Sequence, residues 1–244
     1  MVPDWVTAAL LGALAASALL IGAGLVIFKR PSSRVIGLVM GFGAGALISS
    51  IAYELVPDST IGDSWIWAIA FATGALVFFG LDWWVDHRGG ANRKDIAGDA
   101  GGSGLTIFLG TLLDGIPESV ILGLGIAAGN APNIAFLLAV FVSNLPEGMA
   151  GTLNLAAAGR SRRDIILMWL GVVVASAISA VIGFAIVRWI PTLDGAYAQA
   201  FAAGALLTML ADAMMPEAFE HGGKKVGLLT VMGFLVAATL SALE

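Results

Sequence analysis

The sequence predicts an all-α membrane protein of eight transmembrane helices, and three observations carry that prediction. Of its 244 residues 59% are hydrophobic and only 12% charged, with a mean hydropathy of +0.94. A soluble domain carries roughly 25% charged residues, so water is not the only solvent of this chain. Its apolar residues fall in runs of about 20, the length that spans a bilayer. Finally, its basic residues crowd one alternating set of loops, the asymmetry of a chain that threads a membrane repeatedly.

Taken in order, the runs lie at roughly 6–28, 33–56, 63–85, 104–128, 133–158, 164–190, 196–219 and 225–243. The first is expected to be a span rather than a cleavable signal, because Met1 to Asp4 lack a basic leader and the basic residues follow the apolar run. Numbering the loops and alternating their sides places Lys29, Arg30, Arg34, Arg88, Arg93, Lys94, Arg160, Arg162, Arg163, Lys224 and Lys225 on one face. That is 11 of the 12 basic residues, with Arg188 alone on the other. The positive-inside rule makes the crowded face cytoplasmic and puts both termini outside the cell membrane. The polar stretch 86–103, rich in glycine and mixed charge, reads as a cytoplasmic loop between the third and fourth spans. Everything else in 1–244 reads as a single transmembrane domain.

Composition also excludes. There is no cysteine, hence no disulfide and no thiolate metal site. No basic stripe suggests a nucleic-acid partner; the expected partner is the lipid bilayer itself. The 32 glycines are the small residues that let membrane helices approach closely, and such faces permit a homodimer. Trp5, Trp65, Trp83, Trp84 and Trp189 fall near span ends, as an interfacial aromatic belt does.

Two segments echo each other. Residues 44–59 read AGALISSIAYELVPDS and residues 203–218 read AGALLTMLADAMMPEA, so that Asp58 falls opposite Glu217. The second span runs outward and the seventh inward, the relation of an inverted repeat, which is a transporter feature. The fourth span holds Asp114-Gly115-Ile116-Pro117-Glu118 and the fifth holds Ser143-Asn144-Leu145-Pro146-Glu147-Gly148. These helices also run oppositely, so the expected plan is 3+2+3: spans 1–3 mirrored by 6–8, with 4 and 5 mirrored about the centre.

The second echo carries chemistry. An ionised carboxylate at the bilayer centre costs roughly 2.5–3.5 kcal/mol on insertion scales, and Asp114, Glu118 and Glu147 all fall there with no lysine or arginine at their depth. Protons, water or a bound cation remain to neutralise them. Asp114 and Glu118 are four residues apart and share one helix face. Ser143 and Asn144 precede Glu147 by four and three residues, giving the fifth helix a similar oxygen-bearing face. Pro117 cannot bond the carbonyl of Leu113, nor Pro146 that of Val142, so both helices are expected to bend there and line a cavity. The expected metal site is therefore Asp114, Glu118, Ser143, Asn144 and Glu147. Glu54, Asp58, Asp212, Glu217 and His221 are weighed as residues of the pathway, with Asp212 expected to be buried. Asp82 and Asp86 read as interfacial.

These residues resemble the ZIP (Zrt/Irt-like) family of divalent metal transporters, most closely its short bacterial GufA-like branch. The family's pattern is His-Asn-x-Pro-Glu-Gly in the fourth span and Asn-x-Pro-Glu-Gly in the fifth, within eight core spans and outside termini. Here the fifth-span copy stands intact as Asn144, Pro146, Glu147 and Gly148. The fourth departs: Asp114 stands where the family has histidine, Gly115 where it has asparagine, and Ser119 where it has glycine. The sixth span holds no carboxylate in its apolar stretch, which puts a second bridging metal in doubt. The resemblance implies movement of divalent metal toward the cytoplasm, the ion bound as substrate, with no separate cofactor and no enzyme activity. An all-oxygen site suits manganese, magnesium or iron(II) relatively better than zinc. Two further readings stay open on the residues alone. One is a proton-coupled carrier of an organic solute, with Glu118 and Glu147 as relays. The other is an intramembrane metal-dependent enzyme, against which neither His87 nor His221 lies at midplane depth.

Overall fold

In lipid every backbone polar group must be satisfied within its own segment, and a long apolar run can do that only as a helix. The structure, a computed structural model, describes residues 3–56, 65–87, 104–128, 133–189 and 195–243. They form α1 (Asp4–Lys29), α2 (Ser33–Leu55), α3 (Trp65–Val85), α4 (Gly104–Ala127), α5 (Ile134–Ala157), α6 (Arg162–Trp189), α7 (Gly195–Gly222) and α8 (Lys225–Ser241). No strand occurs among the described residues. Seven of these helices are long and apolar enough to cross a membrane; α8 is apolar but only 17 residues long, about 26 Å at 1.5 Å per residue. Large apolar side chains such as Leu10, Leu14, Leu76, Ile178 and Leu228 point away from the protein. A surface of that kind is stable only against lipid, and the chain is a multi-pass membrane protein. Residues 88–103 of the expected cytoplasmic loop lie outside the described residues.

Burial decides which helix is central. The span of α5 is 72% buried and that of α3 only 17%, so α5 sits inside the bundle and α3 at its rim. Helix α1 packs on α5 and α6, α4 on α6, α2 on α8 and α5, and α3 on α7. Four of these seams are built the same way. On the α2–α8 seam a Cβ at Gly45 would collide with the carbonyl of Thr230, and one at Gly233 with that of Phe42. On the α3–α7 seam Gly74 meets Phe201 and Gly204 meets Phe71; on α1–α5, Gly22 meets Leu145 and Gly148 meets Leu19; on α4–α6, Gly123 meets Ala180 and Gly183 meets Val120. Each glycine touches the carbonyl three residues before its partner glycine. Missing side chains let the backbones meet directly, and that contact is the source of attraction where hydrophobicity supplies none between helices in lipid.

Short connections join neighbouring helices. Gly159 and Gly223 take positive φ (77° and 66°) in the turns from α5 to α6 and from α7 to α8, a conformation that a side chain would disfavour. At the start of α6 the hydroxyl of Ser161 accepts from the amide of Asp164 (3.2 Å), while the Asp164 carboxylate accepts from the Ser161 hydroxyl (2.8 Å) and amide (3.4 Å). This reciprocal cap satisfies donors that the first turn leaves open. Replacing Ser161 by alanine should therefore lower stability by about 1 kcal/mol, read as a lower melting temperature in detergent with no change of helix content.

The wide turns of the backbone lie in helices other than those of Pro117 and Pro146. Helices α4 and α5 run through Pro117 and Pro146 without interruption, so neither is a broken helix. Wide π-turns fall instead at Ile51–Leu55 in α2 and Leu210–Met214 in α7. Each starts six residues after the seam glycine of its helix, Gly45 or Gly204. Pro216 follows the second and cannot donate to the carbonyl of Asp212, which a wider turn accommodates; Pro57 stands in the same relation to Tyr53 in the sequence.

Candidate functional site

All five residues expected to hold metal are buried: Asp114, Glu118, Ser143, Asn144 and Glu147 are between 0% and 5% exposed. Asp114 and Glu118 come from α4, the other three from α5, and the two helices touch each other and both pack on α1. The supporting contacts are specific. The Asn144 amide donates to the carbonyl of Ala15 on α1 at 3.2 Å. The Ser143 hydroxyl donates to the Val140 carbonyl at 2.9 Å, leaving its lone pairs to accept. Behind α5, Trp169 of α6 is fully buried with its indole N–H on the Thr152 hydroxyl at 2.9 Å, its ring filling the space that Gly151 leaves.

Helix α2 closes one side. Gly43 lies against Ser143: a Cβ at Gly43 would stand 2.8 Å from the Cα of Ser143. Eleven residues on, the Glu54 carboxylate accepts from the Asn133 amide, and Asn133 also caps α5 by accepting from the Phe136 amide at 2.7 Å. One face of α2 therefore looks at α5 from Ser143 out to Asn133. Ser50, seven residues after Gly43 within the regular part of α2, belongs to that face by helical spacing. The hydroxyls of Ser49 and Ser50 are buried and make no hydrogen bond. Sequence reading passed over Ser50, because a serine inside an apolar run carries no charge to mark it. It also passed over Ser176 and Ser179, both buried on α6; a Cβ at Gly115, beside Asp114, would stand 3.6 Å from the Ser176 hydroxyl.

The remaining pathway candidates divide. Glu54 is half-buried and engaged with Asn133 as described. Asp58 lies outside the described residues. Asp212 is exposed rather than buried, because it lies in the π-turn of α7, where the extra residue in the turn rotates the following side chains away from the helix's packed face. Asp82 is 7% exposed and packed against the protein, while Asp86 is half-buried. At the C-terminal end of α7 the ligand atoms of Glu217, Glu220 and His221 all lie within 4.8 Å of one another, the one such group among the described residues. His221 contacts the Glu217 carboxylate at 3.0 Å.

Comparison with known proteins places this arrangement. No family model matches the chain. It is 26% identical over 223 residues to a provisionally named zinc transporter of Arabidopsis thaliana, covering 88% of this chain but only 35% of that protein. It is 31% identical over 227 residues to the zinc transporter ZupT of Enterobacter sp. (strain 638), covering 85% of this chain and 84% of the relative. The chain belongs to the ZIP family. Within this ZIP protein the buried oxygen set on α4 and α5 thus contains the family's intact fifth-span motif and its altered fourth-span one. The carboxylate–hydroxyl–amide chemistry of that set contains no imidazole.

Proposed function

We propose that this ZIP protein carries divalent metal cations across the membrane toward the cytoplasm, through a midplane site formed by Asp114, Glu118, Ser143, Asn144 and Glu147. The observation that carries the reading is the burial of three carboxylates and two neutral oxygen ligands on two touching helices inside an apolar bundle. Such groups are costly in a membrane interior unless function retains them. The relatives named zinc transporters support transport over enzymatic chemistry. Oxygen ligands alone favour harder ions relative to zinc, so manganese or iron(II) should be carried alongside it. Glu54 and Ser50 on one side, and Glu217 with His221 on the other, extend the polar route from the site.

The route requires alternating access, and a 3+2+3 inverted repeat provides it through an elevator-like or rocking exchange of the repeats. Three features support that repeat. The α2–α8 and α3–α7 seams match glycine for glycine, as do α1–α5 and α6–α4. The π-turns occupy the same place in α2 and α7. The AGAL segments 44–47 and 203–206 carry the matching seam glycines. The crowding of 11 of the 12 basic residues on one alternating set of loops in the sequence supports outside termini in a cell membrane.

The test is uptake of zinc, cadmium, manganese and iron(II) into proteoliposomes. Flux of manganese or iron(II) within about tenfold of zinc is expected from the all-oxygen donor set. A zinc-only profile would refute that selectivity. Absence of flux for every ion, from protein shown to be folded, would overturn the reading and favour a proton-coupled solute carrier.

A further inference from the structure

A groove of about 480 Å³ opens on the side of the bundle where α5 turns into α6. Its walls are Leu105 and Phe108 from the start of α4 and Leu167 and Met168 from the second turn of α6, with Arg160 and Asp164 at its mouth. Gly171 completes the lining, and a Cβ there would stand 3.5 Å from the Phe108 ring, in ordinary contact. Leu105 and Leu167 are 59% and 54% exposed, so the groove faces the surrounding solvent, which along this surface is lipid. The volume suits a small amphiphilic ligand.

The charge at the mouth selects among amphiphiles. Arg160 is exposed. Asp164 is engaged by the amide and hydroxyl of Ser161 in the cap of α6, so its carboxylate faces the helix start. Arg162 and Arg163 follow in the first turn of α6 and are not among the residues that line the groove. Arg160 is the basic residue of the groove lining, while one oxygen of Asp164 is taken up in the cap; a guanidinium beside an apolar trough matches a molecule with an anionic head and hydrocarbon tails. A guanidinium binds phosphate through its planar fork of donors.

We propose that this groove binds an anionic phospholipid, its phosphate held by Arg160 and one acyl chain laid along Leu105, Phe108, Leu167 and Met168. The site lies away from the buried carboxylates and stands whether or not the transport reading does. Clusters of basic residues at the membrane surface contribute about 1 kcal/mol each toward anionic lipid, so Arg160 should give roughly a fivefold preference.

The chain's lack of cysteine makes a clean experiment. Leu167→Cys, labelled with an environment-sensitive fluorophore, is titrated in nanodiscs or mixed micelles with brominated phosphatidylglycerol or brominated phosphatidylcholine. Quenching by phosphatidylglycerol should half-saturate at about a fivefold lower mole fraction. Arg160→Gln should erase that difference, and Arg188→Gln, at the opposite end of α6, should keep it. Leu105→Cys supplies a second reporter should the first variant not elute as a single folded species. Equal quenching by the two lipids, or a preference that survives Arg160→Gln, would overturn the proposal.

Discussion

Glu147→Gln is expected to reduce divalent-metal uptake by at least about tenfold while leaving the protein as stable as the wild type or more so, and Glu118→Gln should do the same. The two effects separate because they have different causes. Glutamine keeps the shape and one oxygen of the side chain but removes the negative charge that a divalent ion needs for compensation. Even residues that merely orient metal ligands change affinity by roughly ten- to a hundredfold when altered, so a direct ligand should cost no less. Stability moves the other way. A carboxylate buried among apolar helices carries a desolvation penalty, and Glu118 and Glu147 are 2% and 5% exposed, so neutralising them removes that cost. Uptake assays beside thermal melting in detergent read both. Loss of uptake accompanied by loss of folded protein would make the two glutamates structural. Unchanged uptake would remove them from the site.

Gly45→Val and Gly204→Val should each destabilise the bundle severely, by about 3 kcal/mol or more, whereas Gly80→Val should be close to neutral. A Cβ at Gly45 or Gly204 would collide with a backbone carbonyl, that of Thr230 or of Phe71, and not with a flexible side-chain tip. Relief therefore requires the helices to part along the seam. That forfeits the dispersion contacts which hold helices together when lipid tails are as apolar as leucine. Gly80 has nothing within 4 Å of its Cβ position and controls for the change of residue type. Size-exclusion profiles and melting temperatures of the three variants make the comparison. Equal stability of all three would show the seams to be more plastic than close backbone contact allows.

The membrane spans were readable because length and apolarity are local properties. The run at 33–56 became α2 at Ser33–Leu55, and the run at 133–158 became α5 at Ile134–Ala157, within a residue or two. Candidate site residues were readable for a related reason. An acidic side chain inside an apolar run is conspicuous wherever its helix turns, and Asp114, Glu118 and Glu147 are all buried. The wide turns were not foreseen, because proline removes one hydrogen bond without dictating how the helix compensates. Pro117 and Pro146 sit in helices that continue through them, while the π-turns lie in α2 and α7. Asp212 was misjudged in consequence: periodicity counted at 3.6 residues per turn mis-assigns the face of a residue lying inside a wider turn.

By itself, then, the sequence determined that this protein crosses a membrane repeatedly as helices, that it places carboxylates inside the bundle, and that it offers no thiolate. Each follows from composition over a window or from the identity of one residue. Only the tertiary structure decided which helices meet. Glycines are spread over every span, and nothing local says that Gly45 meets the carbonyl of Thr230 while Gly80 and Gly125 meet nothing. The Pro-Glu echo pairs α4 with α5 at a spacing of 29 residues, whereas their seam glycines, Gly123 and Gly148, are 25 apart. That difference of four residues is about one helical turn. A seam is a contact between two helices, and its register is set by the partner's backbone, which a one-dimensional pattern does not contain.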